Sequence, residues 1–416
     1  MKNKNIYLIV GASAAGIAAA KKIRSLEPDA QILCFSAEKE MPYNKCFLVD
    51  WLAQEREYEA LFLHTKEFFE AQRIELKLDT VVIKIDREKK QIITHDGTQY
   101  FYTKLLVATG ASARQVPLHT FVNAQGKQQE SIKNIVPFYT LADTEKVYSL
   151  ARQNNVKNIV IIGGGISGIE CADALRLLGK NITVIERGAQ ILIHQLSSEY
   201  AADLMQRAQK DNVNCLINTA LVDIIETGNA GFEISCISSL HGSEEKITVH
   251  ADLIITTLGS VPNVELAQEC NLVLEHFGIQ TNSFLQTSDP DIFGAGDCAT
   301  VRDSIHKTPI RSIMWSDALV QGMVAGTNMV TLTREYAGAL PITVSHLFGM
   351  QLASYRRDLI ESGLYRVEYK HEQNAQYCIA FDTTNVVVAF ICLGFAISYT
   401  HIKKSLITGT PYSATN

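Results

Sequence analysis

Six short runs of apolar and β-branched residues punctuate the chain: IYLIVG at 6–11, QILCFS at 31–36, KLLVATG at 104–110, NIVIIGG at 158–164, NITVIE at 181–186 and LIITTLG at 253–259. Their hydrophobicity is continuous rather than alternating, which is the pattern of strands covered on both faces in a parallel sheet. Stretches of helical period lie between them, so the runs predict an α/β fold. Two runs end in a glycine-rich turn that opens a helix, GASAAG at 11–16 and GGGISG at 163–168. Each is the strand–turn–helix arrangement of a dinucleotide-binding unit, and the chain holds two of them.

The pattern changes after Arg334, where ITVSHLFGM, GLYRVEYK, QYCIAFD and VVVAFICLG read as strands and one late helix falls around His401–Leu406. A small C-terminal α+β domain is expected over 336–416. The polar stretch HTFVNAQGKQQESIKN, within 118–150, marks the crossing from the first nucleotide unit to the second, and a return crossing is placed near Val261–Asn263. The first unit is thus expected over 1–117 and 263–335, with the second inserted at 118–262. At 416 residues, two or three domains is the expectation for a chain of this length.

Composition narrows the function. With 47% hydrophobic and 20% charged residues the chain reads as an ordinary globular protein, and a formal net charge of -6 opposes a nucleic-acid partner, which calls for a basic face. The opening MKNKNIYLIVGASAAGIAAAKK imitates a signal peptide. Gly11 and Gly16 interrupt its apolar run in a nucleotide-loop pattern, and the helix continues through Lys21 and Lys22. VVVAFICLGFAIS at 386–398 is shorter than the ~20 residues of a bilayer span and reads as a buried strand with a turn at Gly394, so no membrane span is expected. Nine cysteines lie scattered with no CxxC, which suits reduced thiols in a cytoplasm rather than a disulfide framework or a metal site.

The second loop carries Gly163, Gly165 and Gly168, whose small size lets the backbone N–H groups around Ile166 and Ser167 approach a pyrophosphate at the positive end of a helix. Glu186, at the end of the next strand, is placed to accept hydrogen bonds from ribose hydroxyls and to repel a 2′-phosphate, which favours NADH over NADPH. Arg187 beside it is a counter-signal. The first loop has Gly11, Ala14 and Gly16 but Ser13 at the middle glycine position, where the hydroxyl can donate to a phosphate. Ser36 stands where an acidic ribose ligand is usual, and Glu38 two positions later is the candidate.

The set GASAAG at 11–16, LLVATGA at 105–111, GGGISGIE at 163–170, TLGSVPN at 257–263 and TSDPDIFGAGDCA at 287–299, in this order, resembles the FAD- and NAD(P)H-dependent pyridine nucleotide disulfide oxidoreductase superfamily over about residues 5–330. The resemblance implies that the first unit holds FAD and the second NADH, and that a hydride passes between them. It implies that Asp297, after Gly296, bonds the ribityl chain; that Ala108, Thr109 and Gly110 line the flavin nucleotide; that Val82 meets the adenine through its backbone; that Gly259, in TLGSVPN, is a cofactor-binding residue; and that Glu170 approaches the nicotinamide. The helix WSDALVQGMVAGTNM at 315–329 is similar to the one whose N-terminus points at the flavin ring.

The segment MPYNKCFLVDWLAQ at 41–54 separates the branches. A redox CxxxxC pair would need two cysteines here, and Cys46 stands alone. Pro42, Tyr43, Lys45 and Leu48, with the short third domain, resemble the NADH:rubredoxin oxidoreductase and nitrite-reductase-like branch, and Asp50 stands where related ferredoxin reductases often have a lysine near the flavin. Lys45 is then a cation near the flavin or its phosphates. In that reading a small electron carrier such as rubredoxin, or a small-molecule acceptor, takes the electrons. The alternative is a Cys46-dependent NADH oxidase, peroxidase or coenzyme A disulfide reductase, for which a helix start beside Lys45 would make the sulfur nucleophilic. Phe47 departs from the small residue usual in that group. A third alternative is a nucleotide-binding redox sensor of slow turnover. The sequence leaves a homodimer open as the assembly.

Overall fold

The computed structural model describes residues 4–117, 121–122, 134–227, 231–239, 243–276, 278–372, 375–394 and 399–413, so most of the polar crossing after 118 lies outside the described residues. The chain divides into two compact units. The first comprises Met1–Phe47, Arg56–Ser112 and Ser260–Pro341, and the second Leu48–Glu55, Ala113–Gly259 and Ile342–Asn416.

The first unit is built on a five-stranded parallel sheet in the order Ile292–Gly294, Lys104–Val107, Ile6–Val10, Gln31–Phe35, Ile74–Lys77. The apolar runs are continuous because both faces are covered. Ile9, Leu106 and Phe293 pack with Ile17 and Val324 under the helices Ala14–Leu26 and Trp315–Val330. Leu8, Val10, Leu105 and Val107 face the other way, with Val82, Ile85 and Ile92. These last three come from an antiparallel three-stranded sheet, Val82–Asp86, Gln91–Thr94 and Gln99–Phe101. The first strand has neighbours reached in opposite directions. That makes its carboxyl end a topological switch point, where α/β sheets bind ligands.

The second unit repeats the plan with the strand order Ile135–Pro137, Leu253–Thr256, Asn158–Ile162, Asn181–Ile185, Val213–Leu216, all parallel. Ile159, Ile161, Ile182 and Val184 join one core, while Val160, Ile162 and Ile185 pack with Ile224, Phe232 and Ile234. The last three belong to an antiparallel meander, Thr219–Glu226, Phe232–Ser238 and Glu245–Ala251, against which Phe121–Val122 pairs. The C-terminal part of this unit is a five-stranded antiparallel sheet in the order Thr343–Leu347, Met350–Tyr355, Val387–Gly394, Ala375–Phe381, Arg366–Glu372. The late helix, Tyr399–Thr408, buries Ile402 and Leu406. The short helix Leu48–Leu52 packs in this unit as well, with Leu52 fully buried in its core. The fold is therefore α/β, with two Rossmann-like domains, one inserted in the other, and a small C-terminal α+β domain. Among the described residues no helix is long and apolar enough to cross a membrane.

Candidate functional site

In the first unit the loops leave the carboxyl ends of neighbouring strands in register, Val10 beside Phe35 and Val107, and Val107 beside Gly294. This brings Gly11–Gly16, Ser36–Glu38, Ala108–Gly110 and Gly296–Asp297 to one edge of the sheet. Gly11 has φ +113°, and a Cβ on it would lie 2.0 Å from the Ala108 carbonyl oxygen; one on Gly16 would lie 1.9 Å from the Gly11 carbonyl oxygen. Both glycines are dictated by backbone contact. Ser13 caps the helix Ala14–Leu26 with extended backbone, and its hydroxyl makes no capping hydrogen bond. Thr109 and Asn263 lock two motifs together: Thr109 Oγ1 donates to the Asn263 carbonyl (2.7 Å) and Asn263 Nδ2 to the Thr109 carbonyl (2.9 Å).

Glu38 is held in place, since the buried Tyr43 donates its hydroxyl to Oε2 at 2.7 Å and the Glu38 N–H donates to Ser36 Oγ at 3.1 Å. Val82 starts its strand opposite Thr94. Burial pushes the Asp297 carboxyl up, while Lys45 and Arg311 facing it pull it down. The Gly296 N–H donates to Oε1 of the fully buried Gln321 at 2.7 Å. Cys46 is exposed, in the middle of a three-residue 3-10 turn, Lys45–Phe47, and its N–H donates to Asn44 Oδ1 at 3.0 Å. A turn that short has little dipole, and the following helix starts at Leu48.

In the second unit Gly163 has φ +116°, and a Cβ on it would meet the Thr257 carbonyl oxygen at 2.5 Å; one on Gly168 would meet the Gly163 carbonyl oxygen at 2.0 Å. Gly165, the N-cap of the helix Ile166–Arg176, faces open space within 4 Å, as does Gly259. A close-packed turn whose outer glycine opens over a helix N-terminus is a cradle for a pyrophosphate, so the residues present fit a dinucleotide. Glu186 spans two loops, accepting from Gly164 N–H at 2.7 Å and Gly188 N–H at 2.5 Å, and Arg187 is exposed. Glu170 lies one turn into the helix, where Oε1 accepts from Ser345 Oγ at 2.6 Å. Burial pushes its carboxyl up, the Ser345 hydrogen bond opposes this, and Asp50 and Asp173 push it further up.

Three residues near these motifs were missed, two of them because no spacing marks them. Arg311 and Ser345 sit at no fixed offset from Asp297 or Glu170. Gln321 did leave a signal, a polar residue on the same helical stripe as the buried Ala318 and Ala325.

Two glycine loops at the carboxyl edges of two parallel sheets form two dinucleotide cradles, and the family to which the chain belongs makes it an enzyme of the FAD-dependent NAD(P)H oxidoreductase class. Residues 6–314 match the family Pyridine nucleotide-disulphide oxidoreductase, and the chain belongs to that family. It is 30% identical over 347 residues to a rubredoxin-NAD(+) reductase of Pseudomonas putida, across 83% of this chain and 85% of the relative. It is 25% identical over 368 residues to an NADH oxidase of Methanocaldococcus jannaschii, across 86% of this chain and 78% of the relative. In fold it is similar to a chain of the covalent putidaredoxin reductase-putidaredoxin complex, with TM-score 0.84 and 23% identity over 97% of this chain and 93% of that one.

Proposed function

We propose that this chain takes a hydride from NADH onto FAD bound in the first unit and passes the electrons to a small carrier protein such as rubredoxin, in the cytoplasm. Two dinucleotide cradles alongside a segment, MPYNKCF, with one cysteine where a dithiol mechanism needs two carry this reading. The backbone around Gly11, Ser13, Ala14 and Gly16 receives the FAD pyrophosphate, Glu38 the ribose, and Val82 the adenine. Ala108, Thr109 and Gly110 line the flavin nucleotide, Asp297 after Gly296 bonds its ribityl chain, and Lys45 supplies positive charge. Gly163, Gly165, Ile166, Ser167, Gly168 and Gly259 hold the NADH backbone, Glu186 its ribose, and Glu170 its nicotinamide. When bound, FAD accepts the hydride and releases electrons to the carrier. The similarity to a rubredoxin-NAD(+) reductase supports this outlet.

Asp297→Ala is expected to lose most of the bound flavin, as read from the visible absorbance of the purified protein. A wild type that is colourless and cannot be reconstituted with FAD would overturn the assignment.

A second reading, a Cys46-dependent oxidase, peroxidase or disulfide reductase, is favoured by the exposed Cys46 and the similarity to an NADH oxidase. The two readings separate on Cys46→Ser. Electron exit to a carrier needs close cofactors and a docking surface, whereas peroxide or a disulfide needs a nucleophilic sulfur that serine cannot replace. Cys46→Ser is expected to keep most NADH-dependent reduction of rubredoxin or a dye after anaerobic loading. Negligible carrier reduction by the wild type, with peroxide or coenzyme A disulfide reduction lost in the variant, would install the thiol mechanism instead.

A further inference from the structure

The carboxylate one turn below the second loop is tied to the C-terminal sheet. Ser345, on the strand Thr343–Leu347, donates its hydroxyl to Glu170 Oε1 at 2.6 Å. Asp173, one turn further along the same helix, accepts from the Phe348 N–H at 2.9 Å and from Arg176 Nε at 2.6 Å, so the hairpin carrying Ser345 is fixed at two points. Among the described residues, the charged groups acting on Glu170 are Asp50, from the short helix Leu48–Leu52, and Asp173, from its own helix. Glu170 thus has one neutral hydroxyl donor in contact with it and two like charges acting on it.

Resting on the reading of this loop as the NADH site, we propose that Ser345 is a positioning residue which holds the Glu170 carboxylate in that site and, with Asp50 opposing it, sets how tightly NAD+ is kept relative to NADH. The oxidised nicotinamide ring is a cation and the reduced ring is neutral. An ionised Glu170 therefore favours the product, and a protonated Glu170 releases it. Burial, Asp50 and Asp173 raise the Glu170 titration above the usual carboxylate range, while the Ser345 hydrogen bond lowers it. NAD+ affinity must then rise with pH through that titration, by about tenfold, with no matching rise for a neutral-ring nucleotide.

The test measures equilibrium binding of NAD+ and of tetrahydro-NAD, a neutral-ring analogue that cannot give up a hydride, to the oxidised FAD-loaded protein across a pH series. Wild type is expected to show a rising NAD+ to tetrahydro-NAD affinity ratio. Ser345→Ala removes the donor that stabilises the anion, so its midpoint moves up. Asp50→Asn removes a like charge, so its midpoint moves down. Ser345→Thr keeps a hydroxyl and restores the wild-type midpoint. A merely structural role for Ser345 would change both affinities together and leave the ratio's pH profile in place. Coincident profiles for wild type, Ser345→Ala and Asp50→Asn, or shifts of the two variants in the same direction, would overturn the inference while leaving the nucleotide site intact. If Ser345→Ala does not fold, Ser345→Cys takes its place: its weaker S–H donor must also move the midpoint up, and an unmoved midpoint overturns the inference. A wild type that binds neither nucleotide would overturn the reading of the site itself and the inference with it.

Discussion

Gly322→Ala is expected to destabilise the first unit by at least about 3 kcal/mol and to strip much of its FAD, although alanine is the better helix former. In an exposed helix the exchange would stabilise by roughly 1 kcal/mol. Here a Cβ on Gly322 would lie 2.1 Å from the Ala15 carbonyl oxygen, and one on Gly326 2.6 Å from the Ala19 carbonyl oxygen. The obstacle at both positions is backbone, so no rotamer change relieves it, and the helices Ala14–Leu26 and Trp315–Val330 must move apart. Ala15 belongs to the GASAAG loop, so that movement displaces the N–H groups assigned to the flavin pyrophosphate. Gly326→Ala, with the longer approach, is expected to lose less. Flavin fluorescence during heating reads release and unfolding together. An unchanged release temperature for Gly322→Ala would show that the two helices separate at negligible cost.

How much of this was legible follows the range over which each feature is encoded. The parallel strands were legible because burial on both faces leaves a local mark: Leu8 and Val10 serve one core and Ile9 the other, so the run has no polar gap. The loops were legible because Gly16 and Gly168 stand five residues beyond Gly11 and Gly163, and in each loop the Cβ of the later glycine would strike the carbonyl of the earlier. The meander Thr219–Glu226, Phe232–Ser238 and Glu245–Ala251 went unread. Its alternation shows in FEISCIS and KITVH, but nothing local says what the apolar side covers. Nor can periodicity reveal that Leu52 is buried in the core of the second unit, or that Ser345 reaches a carboxylate 175 residues away. Such contacts are made by the tertiary fold, and the sequence carries no spacing for them.

Glu186→Ala is expected to turn a preference of about a hundredfold for NADH over NADPH into none or its reverse. A 2′-phosphate about 4 Å from the carboxylate meets a repulsion of order 4 kcal/mol per unit charge at an effective dielectric near 20. Glu186 is half-buried, so screening by solvent brings the expected discrimination below what that figure implies. The carboxylate also accepts from the Gly164 and Gly188 N–H groups, which tie the glycine turn to the loop after the strand Asn181–Ile185. Its removal therefore weakens NADH in two ways, through the lost ribose acceptor and through a looser turn, each worth roughly 1.5–3 kcal/mol for bonds to a charged acceptor. NADPH loses the repulsion and gains the exposed Arg187, free to swing to the phosphate once its neighbour is gone, so its kcat/KM rises while that of NADH falls. Glu186→Gln separates the two contributions, because the amide oxygen still accepts one N–H while the charge is gone. If repulsion dominates, Gln matches Ala in the NADPH gain but keeps more NADH activity; if the tie dominates, Gln stays close to wild type with both. Steady-state kcat/KM for both nucleotides with the three proteins decides it, and a wild type that prefers NADPH would show that Arg187 already outweighs the carboxylate.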